Sequence, residues 1–208
     1  MEKRKPIYLL ADSQLLFWRW QGKPFLSMLG DLIELASCKA AYVGASNDNY
    51  PAYYDIFESA MESIGVAECR MVSNGDAVFV EQADLIFLSG GDVERGWTVF
   101  ERDGFKELFV RRYHEGVLLM GTSAGAVQLG MLGLVPYVIG AHDERNSWAE
   151  LKESLHRAEK PVSGIGIPTG AGMIYYADQT IAAIRYPLSQ FSIDDGAISE
   201  KVILPKFV

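Results

Sequence analysis

The sequence predicts an α/β fold, a three-layer sandwich in which helices cover both faces of a mainly parallel sheet. Short apolar, β-branched runs alternate with amphipathic segments through the first two thirds of the 208 residues, the pattern of parallel strands joined by helices. One run, Leu85 to Leu88, is apolar throughout, as a strand buried on both faces is. A composition of 49% apolar and 22% charged residues supplies a sizeable core, and the length suits one domain spanning residues 1–208.

Ile7 to Ala11 opens the sheet. Phe25, Met28, Leu29, Leu32, Ile33 and Ala36 then recur at helical spacing ahead of the next run, Ala40 to Gly44, which makes a first βαβ unit. Pro51 stands where a first helical turn starts, and Tyr54, Phe57, Met61 and Ile64 form a stripe closing at Gly65, a C-cap position. A short strand around Cys69 to Val72 follows. Leu85 to Leu88 runs into Ser89-Gly90-Gly91, and Phe100, Phe105, Leu108, Phe109 and Tyr113 mark one further helix ending by Gly116. Val117 to Met120 is the next strand, and Ser123 follows it at the head of the small-residue segment Ala124-Gly125-Ala126-Val127. Beyond the polar Asp143-Glu144-Arg145-Asn146, the pattern gives a helix near Trp148 to Ala158 and several short strands that complete or flank the sheet.

With 19 Lys and Arg against 27 Asp and Glu, the formal charge is −8, and the longest basic run is Lys3-Arg4-Lys5. The chain therefore lacks the electrostatic footprint of a nucleic-acid binder. No apolar stretch reaches the roughly eighteen residues of a membrane span. The N-terminus passes from Met-Glu-Lys-Arg-Lys into Ile7-Tyr8-Leu9-Leu10 without a signal-peptide pattern, so a cytoplasmic protein with no membrane partner is expected. Cys38 and Cys69 lie far apart, without metal-ligand spacing, and read as reduced core thiols.

The chemistry centres on Gly121-Thr122-Ser123-Ala124-Gly125-Ala126. A strand running into a sharp turn and then a helix holds a serine hydroxyl clear of the sheet's carboxyl edge. The N–H of Ala124, at the helix start, points toward an oxyanion forming on a carbonyl attacked by Ser123. A second donor is needed, and Gly91 N–H, in the Gly90-Gly91 loop after the adjacent strand, is the candidate.

A serine at its ordinary pKa needs a base, and the chain has three histidines. His114 ends an amphipathic stripe and suits a helix C-terminus; His156 sits in a charged, solvated helix. His142 follows the apolar Val135-Pro136-Tyr137-Val138-Ile139-Gly140 and precedes a polar turn, which makes it the base. For the group that orients the imidazole, the sequence offers Asp143, Glu144, Asp92 and Asp178 without choosing among them. Trp18, Trp20, Tyr50, Tyr53 and Tyr54 either line the mouth of the cleft or pack in the core or in a homodimer interface.

Taken together, Leu88-Ser89-Gly90-Gly91-Asp92, Leu119-Met120-Gly121-Thr122-Ser123-Ala124-Gly125-Ala126 and Gly140-Ala141-His142 resemble the serine peptidase family of dipeptidase E and cyanophycinase over most of the chain. The resemblance implies a flavodoxin-like, class I glutamine amidotransferase-like fold with serine in place of the usual cysteine. It implies hydrolysis of small peptides through an acyl-enzyme, with N-terminal aspartyl dipeptides and β-aspartyl-arginine links as substrates and no metal or organic cofactor. By position, Ser123 matches the nucleophile, His142 the histidine, and Gly91 with Ala124 the oxyanion donors; Gly90 and Asp92 are candidate substrate-binding residues. Three departures stand out. The stretch from Ser123 to His142 is shorter than the family pattern, so a segment that can carry the acid in dipeptidase E is absent. Thr169, in Gly164-Ile165-Gly166-Ile167-Pro168-Thr169-Gly170, stands where the family usually has an acidic residue. Asp92 replaces an Asn of the dipeptidase E branch, where a carboxylate repels a developing oxyanion unless turned away, or else binds a cationic group such as an α-amine. These departures define a second reading, a family member that keeps the fold and uses its pocket for binding or regulation.

Overall fold

The structure is a computed structural model describing residues 4–73, 76–158, 162–194 and 196–208; Lys3 of the basic run lies outside them. In chain order the strands are β1 (Ile7–Leu10), β2 (Lys39–Val43), β3 (Glu68–Met71), β4 (Leu85–Leu88), β5 (Leu118–Thr122), β6 (Tyr137–Ala141), β7 (Ser163–Ile167), β8 (Gly172–Tyr175), β9 (Ile181–Ile184), β10 (Leu188–Asp194), β11 (Ala197–Ile203) and β12 (Pro205–Phe207). The helices are α1 (Gln14–Phe17), α2 (Pro51–Glu62), α3 (Ala77–Gln82), α4 (Val93–Asp103), α5 (Phe105–His114), α6 (Ala124–Met131) and α7 (Ala149–Arg157). A two-residue ribbon, Arg19–Trp20 with Lys23–Pro24, lies apart from both larger sheets.

The main sheet has the order β12-β9-β8-β1-β5-β4-β2-β3. Its strands from β1 to β3 are mutually parallel, and β8 runs against both β1 and β9. Alternate strand residues feed two separate cores, as the two-residue period of a strand requires. Tyr8, Leu10, Tyr42, Phe87 and Met120 pack with Leu15, Phe25 and Phe57 on one face. Ile7, Leu9, Val43, Leu88 and Leu119 pack with Phe79, Phe100, Phe109 and Leu129 on the other. Each such side chain, fully buried, contributes about 1.5–3 kcal/mol of hydrophobic free energy. This is the mainly parallel, helix-covered α/β sandwich that the pattern predicts. The C-terminal strands do both things expected of them: β8, β9 and β12 complete the sheet, while β7, β10 and β11 join β6 in a second sheet ordered β11-β10-β7-β6. Helix α7 covers that sheet through Trp148, Leu151 and Leu155 on Phe191.

Two helices of the sequence reading change form. The apolar recurrence from Phe25 to Ala36 folds as two 3-10 segments, Phe25–Asp31 and Leu35–Ser37. Over so short a run, spacings of three and four residues fit 3.0 residues per turn as well as 3.6. The stripe from Phe100 to Tyr113 is split into α4 and α5 by Gly104 at φ 72°, a left-handed position that caps one helix and starts the next. The stripe persists across the break, with Phe100 of α4 set edge-on to Phe109 of α5 at 5.2 Å. β1 and β2 are parallel members of one sheet, but β5 and β4 lie between them, so the first expected βαβ unit is not a pair of neighbours.

Candidate active site

Four segments meet beyond the carboxyl ends of neighbouring parallel strands: Asp12-Ser13 after β1, Ala45-Ser46-Asn47 after β2, Ser89-Gly90-Gly91 after β4, and Ser123 after β5. That edge is where open α/β sheets place their ligand sites. Ser123 is at φ 50° and ψ −115°, a conformation that costs a non-glycine residue on the order of 1–3 kcal/mol. The surroundings hold it there: Ser123 N–H donates to Leu10 C=O at 2.9 Å, and its own carbonyl accepts from Val127 N–H at 3.1 Å. Helix α6 then leaves so close to β4 that a Cβ on Gly125 would lie 2.0 Å from the Leu88 carbonyl oxygen.

Ser123 Oγ is 2.7 Å from His142 Nε2. The histidine stands at the end of β6 with φ 47°, its N–H bonded to Ile167 C=O at 2.9 Å. The other histidines lie on helices: His114 closes α5, and His156 Nδ1 contacts Lys152 C=O at 2.8 Å within α7.

Gly90 faces the serine, a Cβ there being 3.2 Å from Ser123 Cβ. Gly91 has φ 140°, and a Cβ on it would fall 2.1 Å from the Ser46 carbonyl oxygen, so only glycine fits. Asn47, in the loop after β2, anchors this turn. Its amide donates to Gly90 C=O and to Ser89 Oγ, both at 2.8 Å, and to Tyr42 OH at 3.2 Å. In a trans peptide the C=O and N–H point opposite ways. Fixing the Gly90 carbonyl on Asn47 therefore turns the Gly91 N–H away from Asn47, and Gly91 and Ser123 line the same cleft.

The structure sorts the candidate acids. Asp92 caps α4, accepting from Arg95 N–H at 2.7 Å, and is not among the residues lining the cleft, which do include Gly90. Asp178 accepts from the Thr180 N–H and hydroxyl in the turn between β8 and β9. Asp143 Oδ1 accepts from Asn146 Nδ2 at 2.9 Å. Glu144 Oε1 accepts from Thr169 N–H at 3.3 Å, and Glu144 Oε2 is buried with no hydrogen-bond partner among the described residues. Burial alone would raise the Glu144 carboxyl, but hydrogen bonds from Thr169 and its own backbone, with the His142 imidazole nearby, hold it below its ordinary value.

The cleft at Ser123 has a volume of about 210 Å³; Asp12, Leu16, Tyr53, Phe57, Ser123 and His142 are among its walls. A larger cleft of about 450 Å³ between α6 and β6 is lined by Val127, Met131, Val135 and Ile139, and Tyr137 is the one polar side chain among its lining residues. Among the described residues, no group of three or more His, Cys, Asp or Glu side chains converges as a metal site would. Cys38 is buried and Cys69 half-buried, and burial pushes both thiols up to about 12. Of the five aromatics, Tyr53 lines the cleft, Tyr50 is exposed beside it, Trp18, Trp20 and Tyr54 pack against the core. No helix of the described residues is long and apolar enough to cross a membrane.

A serine lifted on a strand-to-helix turn, with an imidazole nitrogen at hydrogen-bond distance, is the arrangement of a serine hydrolase. The family model of peptidase family S51 matches residues 26–133, just over half of the chain, and the chain belongs to that family. Among solved structures, it is similar to a peptidase from an acI-B1 Actinobacterium, with a TM-score of 0.63 and 16% identity over 99% of this chain and 96% of that one. It is also similar to a candidate peptidase E protein from Listeria monocytogenes EGD-e, with a TM-score of 0.62 and 14% identity over 86% of this chain and 97% of that one. At these identities the likeness is one of fold. No curated protein sequence matches the chain.

Proposed function

We propose that the chain hydrolyses small peptides through a Ser123 acyl-enzyme. The contact of 2.7 Å between Ser123 Oγ and His142 Nε2 on a strained elbow carries this reading. His142 Nε2 takes the hydroxyl proton as Oγ attacks the scissile carbonyl, and the oxyanion receives the N–H groups of Gly91 and Ala124. The imidazolium then protonates the leaving amine, and water, deprotonated by the same nitrogen, releases the acyl group. Asp92, drawn off to cap α4, leaves the oxyanion position clear of its charge.

A cleft this small suits a substrate of one or two residues around the scissile bond. Its walls include the Asp12 carboxylate and no Lys or Arg. That charge set favours an amino-terminal ammonium at Asp12 and a neutral side chain beside it, and it gives the carboxylate of an aspartyl or β-aspartyl peptide no cationic partner in the cleft. Dipeptide panels pairing aspartyl with leucyl amino termini separate the two preferences.

The test is a fluorophosphonate probe read by intact mass: Ser123 Oγ displaces fluoride, and wild type gains the phosphonyl mass. Labelling lost in both Ser123→Ala and His142→Ala is the expected result. A folded wild type that stays unlabelled would favour the reading of the pocket as a binding or regulatory site.

A further inference from the structure

We infer that Glu144 is the positioning residue for the His142 imidazole, its carboxylate held in place by Thr169. The inference rests on the proposed Ser123–His142 chemistry and assigns the group behind the histidine. With Nε2 turned to Ser123 Oγ, Nδ1 is the nitrogen left to be oriented. The loop carrying His142 and Glu144 is fastened twice to the end of β7 and the residues just after it. His142 N–H donates to Ile167 C=O at 2.9 Å, and two residues further on Thr169 N–H donates to Glu144 Oε1 at 3.3 Å. One backbone stretch thus fixes both the histidine and the carboxylate, and Oε2 is left buried and unpaired among the described residues. A buried carboxylate oxygen without a partner is costly, and a neighbouring imidazole that becomes cationic during the reaction relieves that cost.

Two of the other acids are committed: Asp92 caps α4, and Asp12 accepts from Gln14 N–H at Oδ1 and from Gln14 Nε2 and Gly170 N–H at Oδ2, which leaves one Oδ1 lone pair for a substrate. Asp143 is the competitor: its Oδ2 is also buried and unpaired, while Oδ1 is tied to Asn146 in the local turn. What singles out Glu144 is the Thr169 N–H, which fixes its Oε1 to the same stretch of chain that holds His142; the imidazole's attraction adds only the smallest part of what lowers its carboxyl. No direct hydrogen bond joins Glu144 to His142 among the described residues, so the carboxylate acts across a gap. It favours the tautomer with the proton on Nδ1, which leaves Nε2 free to accept from Ser123, and it offsets the charge of the imidazolium.

The experiment compares wild type, Glu144→Gln, Asp143→Asn and Glu144→Gln with Thr169→Glu by two readouts. The first is the rate of fluorophosphonate labelling at neutral pH. Glu144→Gln should slow it by roughly 10- to 100-fold, less than the roughly 10⁴-fold lost when a directly bonded triad aspartate is neutralised. Asp143→Asn should leave it within about 3-fold of wild type, and Thr169→Glu should restore much of the rate, because it returns a carboxylate to the same place. The second readout, independent of activity, is the side-chain ¹⁵N spectrum of neutral His142, identified by its absence in His142→Ala. Glu144→Gln should shift it away from the Nδ1–H tautomer, and Asp143→Asn should not. The inference is overturned if Glu144→Gln leaves the tautomer unchanged, or if Asp143→Asn moves it instead. A wild type that takes no label but shows the Glu144-dependent tautomer would sink the hydrolase reading and leave this one standing.

Discussion

Replacing Asn47 with alanine should slow acylation of Ser123 by more than it loosens the fold. The substitution removes the amide that holds Gly90 C=O at 2.8 Å and the Oδ1 that accepts Tyr50 N–H at 3.0 Å. Ser89 and Tyr42 keep each other at 2.8 Å, and Tyr50 N–H keeps the Asn47 C=O at 3.2 Å, so of four hydrogen bonds only the one to Gly90 C=O is uncompensated. At about 1 kcal/mol net, the loss is a minor part of the 5–15 kcal/mol of a typical domain. For a chain of this size that is a drop of roughly 2–4 °C in the melting temperature. The kinetic effect has a different origin. Losing an oxyanion donor outright costs about 10²–10³-fold, and a Gly91 N–H that is released rather than deleted should cost about 10- to 100-fold. The assay is the second-order rate of fluorophosphonate labelling, measured well below the melting temperature. Ser89→Ala is the control, since it removes a partner of Asn47 without freeing the Gly90 carbonyl, and it should lower stability alone. If Asn47→Ala melts earlier yet labels as fast as wild type, the anchored carbonyl does not aim the donor and the reasoning fails.

Gly125→Ala should abolish labelling and destabilise the fold by several kcal/mol, because its Cβ would meet the Leu88 carbonyl oxygen at 2.0 Å; circular dichroism and labelling measured together check this. The two thiols should react with a disulfide reagent near neutral pH only on unfolding, their values being pushed up to about 12; a fast native-state reaction of either one would contradict their burial. Glu144 is a carboxyl lowered in the fold, so the stability it contributes is fully present above its unfolded value of 4.5 and is lost as pH falls below that through the lowered folded value; Glu144→Gln should flatten melting temperature against pH in that window, and an unchanged slope would argue against it.

What the sequence carried was local and periodic. Strand β4 is four apolar residues followed by Ser89-Gly90-Gly91, and β5 is another apolar run that ends at Thr122, directly before Ser123, so the elbow is legible in the sequence. His142 was separable from His114 and His156 because both of those sit within helical stripes. The rest depends on contacts between distant segments. Asn47 looks like any loop asparagine, and its role lies in a carbonyl 43 residues away. Glu144 and Asp143 are adjacent acids in sequence, and a backbone N–H 25 residues later distinguishes Glu144. Helix α3 carries only Phe79 and Val80 as buried residues, too few for a periodic signal in six residues.

The two halves of the site belong to different sheets, and α6 is the piece common to both. Ser123 rides on its N-terminus. Five residues on, the fully buried Gln128 donates to Ser46 Oγ at 2.9 Å and to Val93 C=O at 3.0 Å, and the Ser46 carbonyl in turn accepts Asp92 N–H at 2.8 Å. Gln128 thereby ties the helix to the turn that carries Asn47 and to the start of α4, and so to the glycine loop between them. The opposite side of α6 packs against β6, the strand that delivers His142. One short helix thus sets the position of the serine relative to the glycine loop through buried polar bonds, and relative to the imidazole through apolar packing. The two fastenings differ in strength: the buried glutamine network loses heavily if any member is left unpaired, whereas the exposed His142, at a strand end, is held by one backbone bond to Ile167 and by its own contact with Ser123 Oγ. Glu144, anchored on the same stretch of chain, is where the weaker half gains a further restraint.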